Sequence, residues 1–212
     1  MTTATARFRD VITNEEALRA IVGRPSSGAL AKGIDHIDEH FAGFIAKSPF
    51  VLIGSSDAAG NHDISPKGDP AGFVQVLDER TLVIPDRPGN RRADTFTNVI
   101  QNPNVALYFL VPGVRETLRV QGKASIVRDE ELRERMAVAG KVPQLALVVE
   151  VEDAFMHCAK CMVRAKLWVS EAWPDSNDVP NLGAALVDQL QLEISKEAIT
   201  ESLEKDIRER LY

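Results

Sequence analysis

A succession of short β-rich runs, punctuated by turn chemistry, fills the middle of this chain from residue 50 to residue 151. Phe50-Val51-Leu52-Ile53-Gly54 reads as a buried strand. Asp57-Ala58-Ala59-Gly60-Asn61 reads as the turn that sends a second strand back through residues 63–65. Residues 73–77 and 81–84 give two more strands around Asp78-Glu79-Arg80. Residues 105–111 form another, Pro112-Gly113 a turn, residues 117–127 a longer strand, and residues 144–151 a last apolar, β-branched run. Strands at this spacing, with few helices between them, predict a mainly β antiparallel barrel rather than a βαβ sheet.

Helices are expected around this core. Residues 14–22 form one, with Asn14 as N-cap and Gly23 as stop. Residues 24–30, with Pro25, Ser26, Ser27 and Gly28, read as loop. Ile34, Ile37, Phe41, Phe44 and Ile45 keep helical spacing and predict a second helix over residues 35–46, ended by Pro49. Residues 94–101 form a third helix, stopped by Asn102-Pro103-Asn104, and Asp129 caps a short acidic helix running to Ala139. Residues 173–180 are the best loop. Over residues 195–211, Ile199, Leu203, Ile207 and Leu211 repeat every four positions, a stripe expected to pack on the barrel or on a second copy of it. No linker or internal repeat interrupts the chain, so residues 1–212 read as one domain, with N-terminal helices over about 14–46 and a C-terminal helix over about 195–211.

Composition narrows the function. With 212 residues, 44% hydrophobic and 26% charged, the chain has the profile of a globular protein with a proper core. Its net charge of −6 disfavours a nucleic-acid partner. No run of 18 apolar residues predicts a membrane span, and the first ten residues hold no apolar secretory core. Two cysteines, Cys158 and Cys161, are too few for a disulfide framework. A cytoplasmic location is the resulting expectation.

Three segments carry chemistry. In His62-Asp63-Ile64-Ser65-Pro66-Lys67-Gly68-Asp69-Pro70 a strand ends in a lysine and a glycine. Together these offer a point charge and close backbone approach to a ligand, with Ser65 adding a hydroxyl. The plain alternative is a solvated lysine at a strand end. In Ile84-Pro85-Asp86-Arg87-Pro88-Gly89-Asn90-Arg91-Arg92 a strand leads through a Pro/Gly turn into a helix that starts beside two arginines. The helix dipole disfavours cations there, and a bound phosphate would reverse that balance. The plain alternative pairs the arginines with Asp86 or Asp94. The third segment is His157-Cys158-Ala159-Lys160-Cys161, followed by Arg164, Lys166 and Trp168. Its histidine precedes the cysteines, which excludes a c-type haem site. His36, His40, His157, Cys158 and Cys161 could in principle supply zinc ligands, but the reading adopted is two half-buried thiols and no metal.

These segments resemble a known family. Ser48-Pro49-Phe50, Asp57-Ala58-Ala59-Gly60, Ser65-Pro66-Lys67-Gly68-Asp69-Pro70, Leu82-Val83-Ile84-Pro85-Asp86-Arg87-Pro88-Gly89-Asn90, Asn102-Pro103-Asn104-Val105 and Glu116-Thr117-Leu118-Arg119-Val120-Gln121-Gly122-Lys123-Ala124 are similar to the pyridoxamine 5'-phosphate oxidase-related, FMN-binding proteins. The likeness covers nearly the whole chain and is strongest to an uncharacterised bacterial branch of about this length. It implies a six-stranded Greek-key split barrel that forms a homodimer with FMN at the interface.

By matched position, the resemblance implies a cofactor site. Lys67 falls where the family's strand-ending lysine meets FMN, with Ser65 and Pro66 beside it. His62 stands where the true oxidases have an arginine. Ile84 and Pro85 lie on the strand whose backbone follows the flavin. Asn90, Arg91 and Arg92 fall at the phosphate, Arg92 foremost. Thr117 replaces a glutamine near the ring. Lys160, Arg164 and Trp168 are expected to face the pocket from the partner subunit. The C-terminal Arg-x-His signature that grips the vitamin B6 substrate does not occur in this chain. The activity implied is therefore an FMN-dependent two-electron oxidoreductase of open substrate, with a donor such as reduced nicotinamide. The alternative is a non-catalytic flavin, haem or deazaflavin binder of the same fold.

Overall fold

The computed structural model describes residues 7–212 and divides into two compact units, Met1–Gly33 and Ile34–Tyr212. In the first, helix α1 spans Glu15–Val22, and Asn14 Oδ1 accepts a hydrogen bond from Ala17 N at 2.9 Å. Gly23, at φ 75°, stops it as expected. Residues 24–30 are not all loop. Ser26 caps a short helix, α2, over Ser27–Ala31, because its hydroxyl accepts from Ala29 N.

The second unit is built on one antiparallel sheet with flanking helices. Its strands are β1 (Phe50–Ser56), β2 (His62–Gly68), β3 (Gln75–Asp78), β4 (Thr81–Pro85), β5 (Asn104–Leu110), β6 (Thr117–Val127) and β7 (Ala146–His157). Their order is β2-β1-β5-β6-β7-β4-β3, with every neighbouring pair antiparallel. The sheet thus has seven strands rather than the six that the resemblance implied. Strand β3, expected over residues 73–77, is four residues long and pairs with β4 alone. The tight turn that returns it is fixed by Asp78 Oδ1, which accepts from Arg80 N at 2.8 Å.

The helices follow their caps. Helix α3 spans Glu39–Lys47 and starts later than periodicity suggests, because Asp38 caps it by accepting from Phe41 N at 2.8 Å. Ile34 instead bridges Ala154 through two backbone hydrogen bonds. Helix α4 spans Asp94–Gln101, as expected. Helix α5 stops at Arg135 rather than Ala139, because Val138 bridges Lys141 and Ala139 turns left-handed at φ 49°. Strand β7 runs past residue 151 to His157, since β6 pairs with it along the full length from Val127↔Ala146 to Thr117↔His157.

Beyond β7 come two helices that periodicity does not reveal, α6 (Lys160–Arg164) and α7 (Leu182–Leu190). Residues 173–180 are loop apart from a short 3-10 turn. Helix α8 spans Lys196–Glu209 with Ser195 as cap. Its stripe packs on α7, not on the sheet: Ile199 and Leu203 are half-buried, while Ile207 and Leu211 remain exposed. The crossing is close, because a Cβ on Gly183 would lie 2.4 Å from Thr200 Oγ1.

The core lies on one face of the sheet. Val51, Ile53, Leu107, Phe109, Leu118 and Val120 are fully buried there, beside Ile45 of α3. Each such side chain contributes about 1.5–3 kcal/mol on burial. Alternation then assigns both faces: the row Lys67–Val51–Phe109–Leu118–Met156 lies inward, and Pro66–Leu52–Tyr108–Arg119–Phe155 outward.

Candidate functional site

The period-two alternation of β2 divides the residues that the sequence grouped together. Asp63, Ser65, Lys67 and Asp69 are half-buried, and His62, Ile64, Pro66 and Gly68 are exposed. Ser65 and Lys67 therefore belong to the inner face, while His62 and Pro66 belong to the outer one. Ile84 and Pro85 are buried at the end of β4, the Ile84 side chain in the core, so the backbone of this strand is what could line a ligand.

β2 and β4 stand toward opposite edges of the hydrogen-bonded sheet, yet their ends meet through side chains. Lys67 Nζ lies 4.0 Å from Asp86 Oδ1, and both side chains are about three-quarters buried. Two residues further along, Arg87 Nε donates to Asp69 Oδ2 at 2.5 Å. Arg87 also donates to Met136 O at 2.8 Å. The Tyr212 hydroxyl donates to the other Asp69 oxygen at 2.6 Å. Arg87 is thus committed to structure. Asp86 faces Lys67, rather than the arginine pair that the sequence suggested for it.

Helix α4 closes this corner. Thr95 Oγ1 donates to Asp63 Oδ2 at 3.2 Å, and the Phe96 ring centroid lies 5.8 Å from Lys67 Nζ. The turn before α4 is strained: Arg91 and Ala93 both adopt left-handed backbone, at φ 61° and 57°. Ala93, the N-cap, supplies no side-chain acceptor, so the first N–H groups of α4 have no cap. Asn90 Oδ1 accepts from Arg92 N at 3.0 Å and stiffens the turn. Arg92 Nε donates to Asp94 Oδ2 at 2.7 Å, which, with the Asp94 charge, pushes the guanidinium pKa further up. Arg91 and Arg92 are exposed.

A second group lies on the outer face. Thr117, buried, donates to the Tyr108 hydroxyl at 2.8 Å. His157, opposite Thr117 on β7, stacks against Phe155 and Tyr108, with centroids 4.8 and 5.9 Å away. Arg119 covers the Phe155 ring at 4.2 Å. Lys160 and Arg164 are exposed on α6. Trp168 Nε1 donates to Val114 O at 2.7 Å and ties the segment after α6 to the β5–β6 turn. Strand alternation therefore puts Thr117 on the face opposite Lys67.

The metal-ligand candidates do not converge. His36 Nδ1 is 3.1 Å from Asp35 Oδ1, His40 pairs loosely with Glu39, and Cys158 and Cys161, exposed rather than half-buried, are not joined in a disulfide. Among the described residues no group of three or more His, Cys, Asp or Glu could hold a metal ion, and no helix is long and apolar enough to cross a membrane. An open groove between α3 and β3, lined by Ala42, Ala46, Val74, Val76, Leu77 and Arg135, does not include Lys67 or Asp86.

The sequence profile of the pyridoxamine 5'-phosphate oxidase family matches residues 37–158, more than half of the chain and all seven strands. The chain belongs to the pyridoxamine 5'-phosphate oxidase family. Solved structures resemble it at low identity. HupZ of Group A Streptococcus is 19% identical with a TM-score of 0.47, over 57% of this chain and 93% of its own. An FMN-binding protein from Syntrophomonas wolfei is 14% identical with a TM-score of 0.44, over 55% and 83%. An F420 reductase is 16% identical with a TM-score of 0.39, over 57% and 98%. No curated protein matches the chain. Within this family member, Asp63, Asp86 and Phe96 join the corner although their types do not single them out. For Asp63 the signal was there, since a strand alternating Asp-x-Ser-x-Lys-x-Asp carries its polar side chains inward.

Proposed function

We propose that this chain is an FMN-dependent oxidoreductase that works as a homodimer. The observation that carries the reading is the uncapped start of α4 behind the strained Arg91–Ala93 turn, with Asn90, Arg91 and Arg92 at hand. Free backbone N–H groups and guanidinium donors in one turn suit a phosphate dianion. The donor set thus fits the FMN phosphate, and Lys67, with Ser65 and the Ile84–Pro85 backbone, suits the electron-rich edge of the flavin ring. FMN, when bound, supplies the two-electron chemistry. This chain's residues then hold and orient it: Arg92 and Arg91 at the phosphate, Lys67 as a positive charge beside the ring. Lys160, Arg164 and Trp168 would reach the cofactor from the partner subunit, while His62, Pro66 and Thr117 lie on the outer face, away from Lys67. A donor such as reduced nicotinamide needs no side-chain base. The substrate class stays open.

The test is the visible spectrum of the purified protein with and without FMN. Bands at about 370 and 450 nm, bleached by reduced nicotinamide, support the reading. Bound flavin that reduced nicotinamide leaves unbleached makes the chain a non-catalytic binder. A Soret band moves it to haem, and no uptake of FMN removes the proposal.

A further inference from the structure

Cys158 and Cys161 have no part in the proposed cofactor site. As half-buried packing they would be inert, since buried thiols react slowly. The structure places them otherwise. Strand β7 ends at His157, Cys158 follows it, and α6 starts at Lys160, so Cys161 falls in the first turn of that helix. Both residues are exposed. A strand thus delivers one cysteine to the start of a helix that carries the second, and a solution oxidant can reach both.

The backbone between them suits a covalent bond. With planar peptides, the span from Cys158 Cα to Cys161 Cα depends only on the dihedral angles of Ala159 and Lys160. Ala159 is right-handed helical at φ −64° and ψ −10°, and Lys160 belongs to α6. Two such residues set the span at about 5–6 Å, inside the usual disulfide range of roughly 4.4–6.8 Å. The flanks are anchored: β7 pairs with β6 up to Thr117↔His157, Met162 is buried, and Trp168 Nε1 donates to Val114 O. The fold therefore keeps the two cysteines at this span, which an unfolded chain only samples. A metal is poorly served here, because among the described residues no third His, Cys, Asp or Glu joins them.

We propose that Cys158 and Cys161 form a reversible dithiol–disulfide site, oxidised by a small disulfide such as glutathione disulfide and reduced by the matching thiol. One cysteine thiolate attacks a sulfur of the oxidant, forming a mixed disulfide and releasing one small thiol. The second thiolate attacks the protein sulfur of that mixed disulfide, closes the Cys158–Cys161 bond and expels the second small thiol. The protein gives up two electrons and two protons, and the oxidant takes them up as two thiols. This chemistry does not depend on flavin binding.

The experiment equilibrates the full chain with glutathione and glutathione disulfide over a range of ratios, blocks the remaining thiols with a maleimide and measures the intact mass. It is run on the folded protein and on the chain in urea. Folded wild type should pass from two maleimide adducts to none, with little of the single adduct, and should keep the size of one chain on a non-reducing gel. Cys158→Ser and Cys161→Ser should each end with glutathione on the remaining cysteine. The equilibrium constant for oxidation should be roughly tenfold higher folded than in urea, because the turn raises the effective concentration of one thiol at the other. Two maleimide adducts at every ratio, glutathione held separately on both cysteines, or a bond only between chains overturns the proposal. So does an equilibrium constant that is no higher folded than in urea.

Discussion

Asp69 and Arg87 form an ion pair, 2.5 Å from Oδ2 to Nε, that joins the end of β2 to the exit of β4 where no backbone ladder does so. The carboxylate is 1% exposed and the guanidinium 14%. Removing one partner leaves a buried charge uncompensated, which costs about 3–5 kcal/mol. Arg87→Ala should lower the urea midpoint accordingly. The double variant Asp69→Asn/Arg87→Met should lose less than the sum of the single changes, as chemical denaturation of the four proteins would show. Tyr212→Phe removes a hydrogen bond to the same carboxylate and should lower the urea midpoint less than Arg87→Ala does.

Gly122 sits where β6 bulges against β7, the register shifting between Gln121 and Gly122. A Cβ there would lie 1.9 Å from Glu150 O, a backbone atom that cannot step aside. Gly122→Ala should destabilise by about 3 kcal/mol, the upper end for overpacking, and leave the proposed FMN binding unchanged in the fraction that folds. A thermal melt within a degree of wild type would refute this. The glycine of the Arg119-Val120-Gln121-Gly122 string is thus explained by strand packing.

Arg92 is exposed and pairs with Asp94, so Arg92→Ala should barely alter stability. If the α4 start holds the FMN phosphate, the same change removes a charge-assisted contact and weakens FMN binding roughly ten- to a hundredfold. Binding of riboflavin, which has no phosphate, should respond far less. Equal losses for both ligands would place Arg92 elsewhere.

Asp35 gives a pH signature remote from the site. Its pKa is lowered from 3.8 to about 2 by hydrogen bonds from His36 and then Arg80, with the Arg80 charge adding to them. A lowered carboxylate pKa means stability that is fully present above the unfolded value and lost as pH falls through the folded one. The melting difference between wild type and Asp35→Asn should therefore shrink as pH drops from 3.8 to about 2, and salt should reduce it throughout because the pair is exposed. A difference that grows with acid would contradict the assignment.

The amino-acid sequence alone determined the strands, most of the helices and the family. Asn14, Asp129 and Ser195 cap helices where their side chains announce it, and β6 spans Thr117–Val127 as its pattern demands. These features depend on neighbours within a turn or on a period of two, which a sequence displays directly. Tertiary structure decided what lies far apart in the chain: that β7 extends to His157 because β6 offers a partner, and that α8 packs on an α7 whose pattern did not declare it. It also decided that Lys67 faces Asp86 while Arg87 faces Asp69. Those pairings follow from strand order, which brings β2 and β4 to a common seam from opposite sides of the sheet, and no local periodicity encodes strand order.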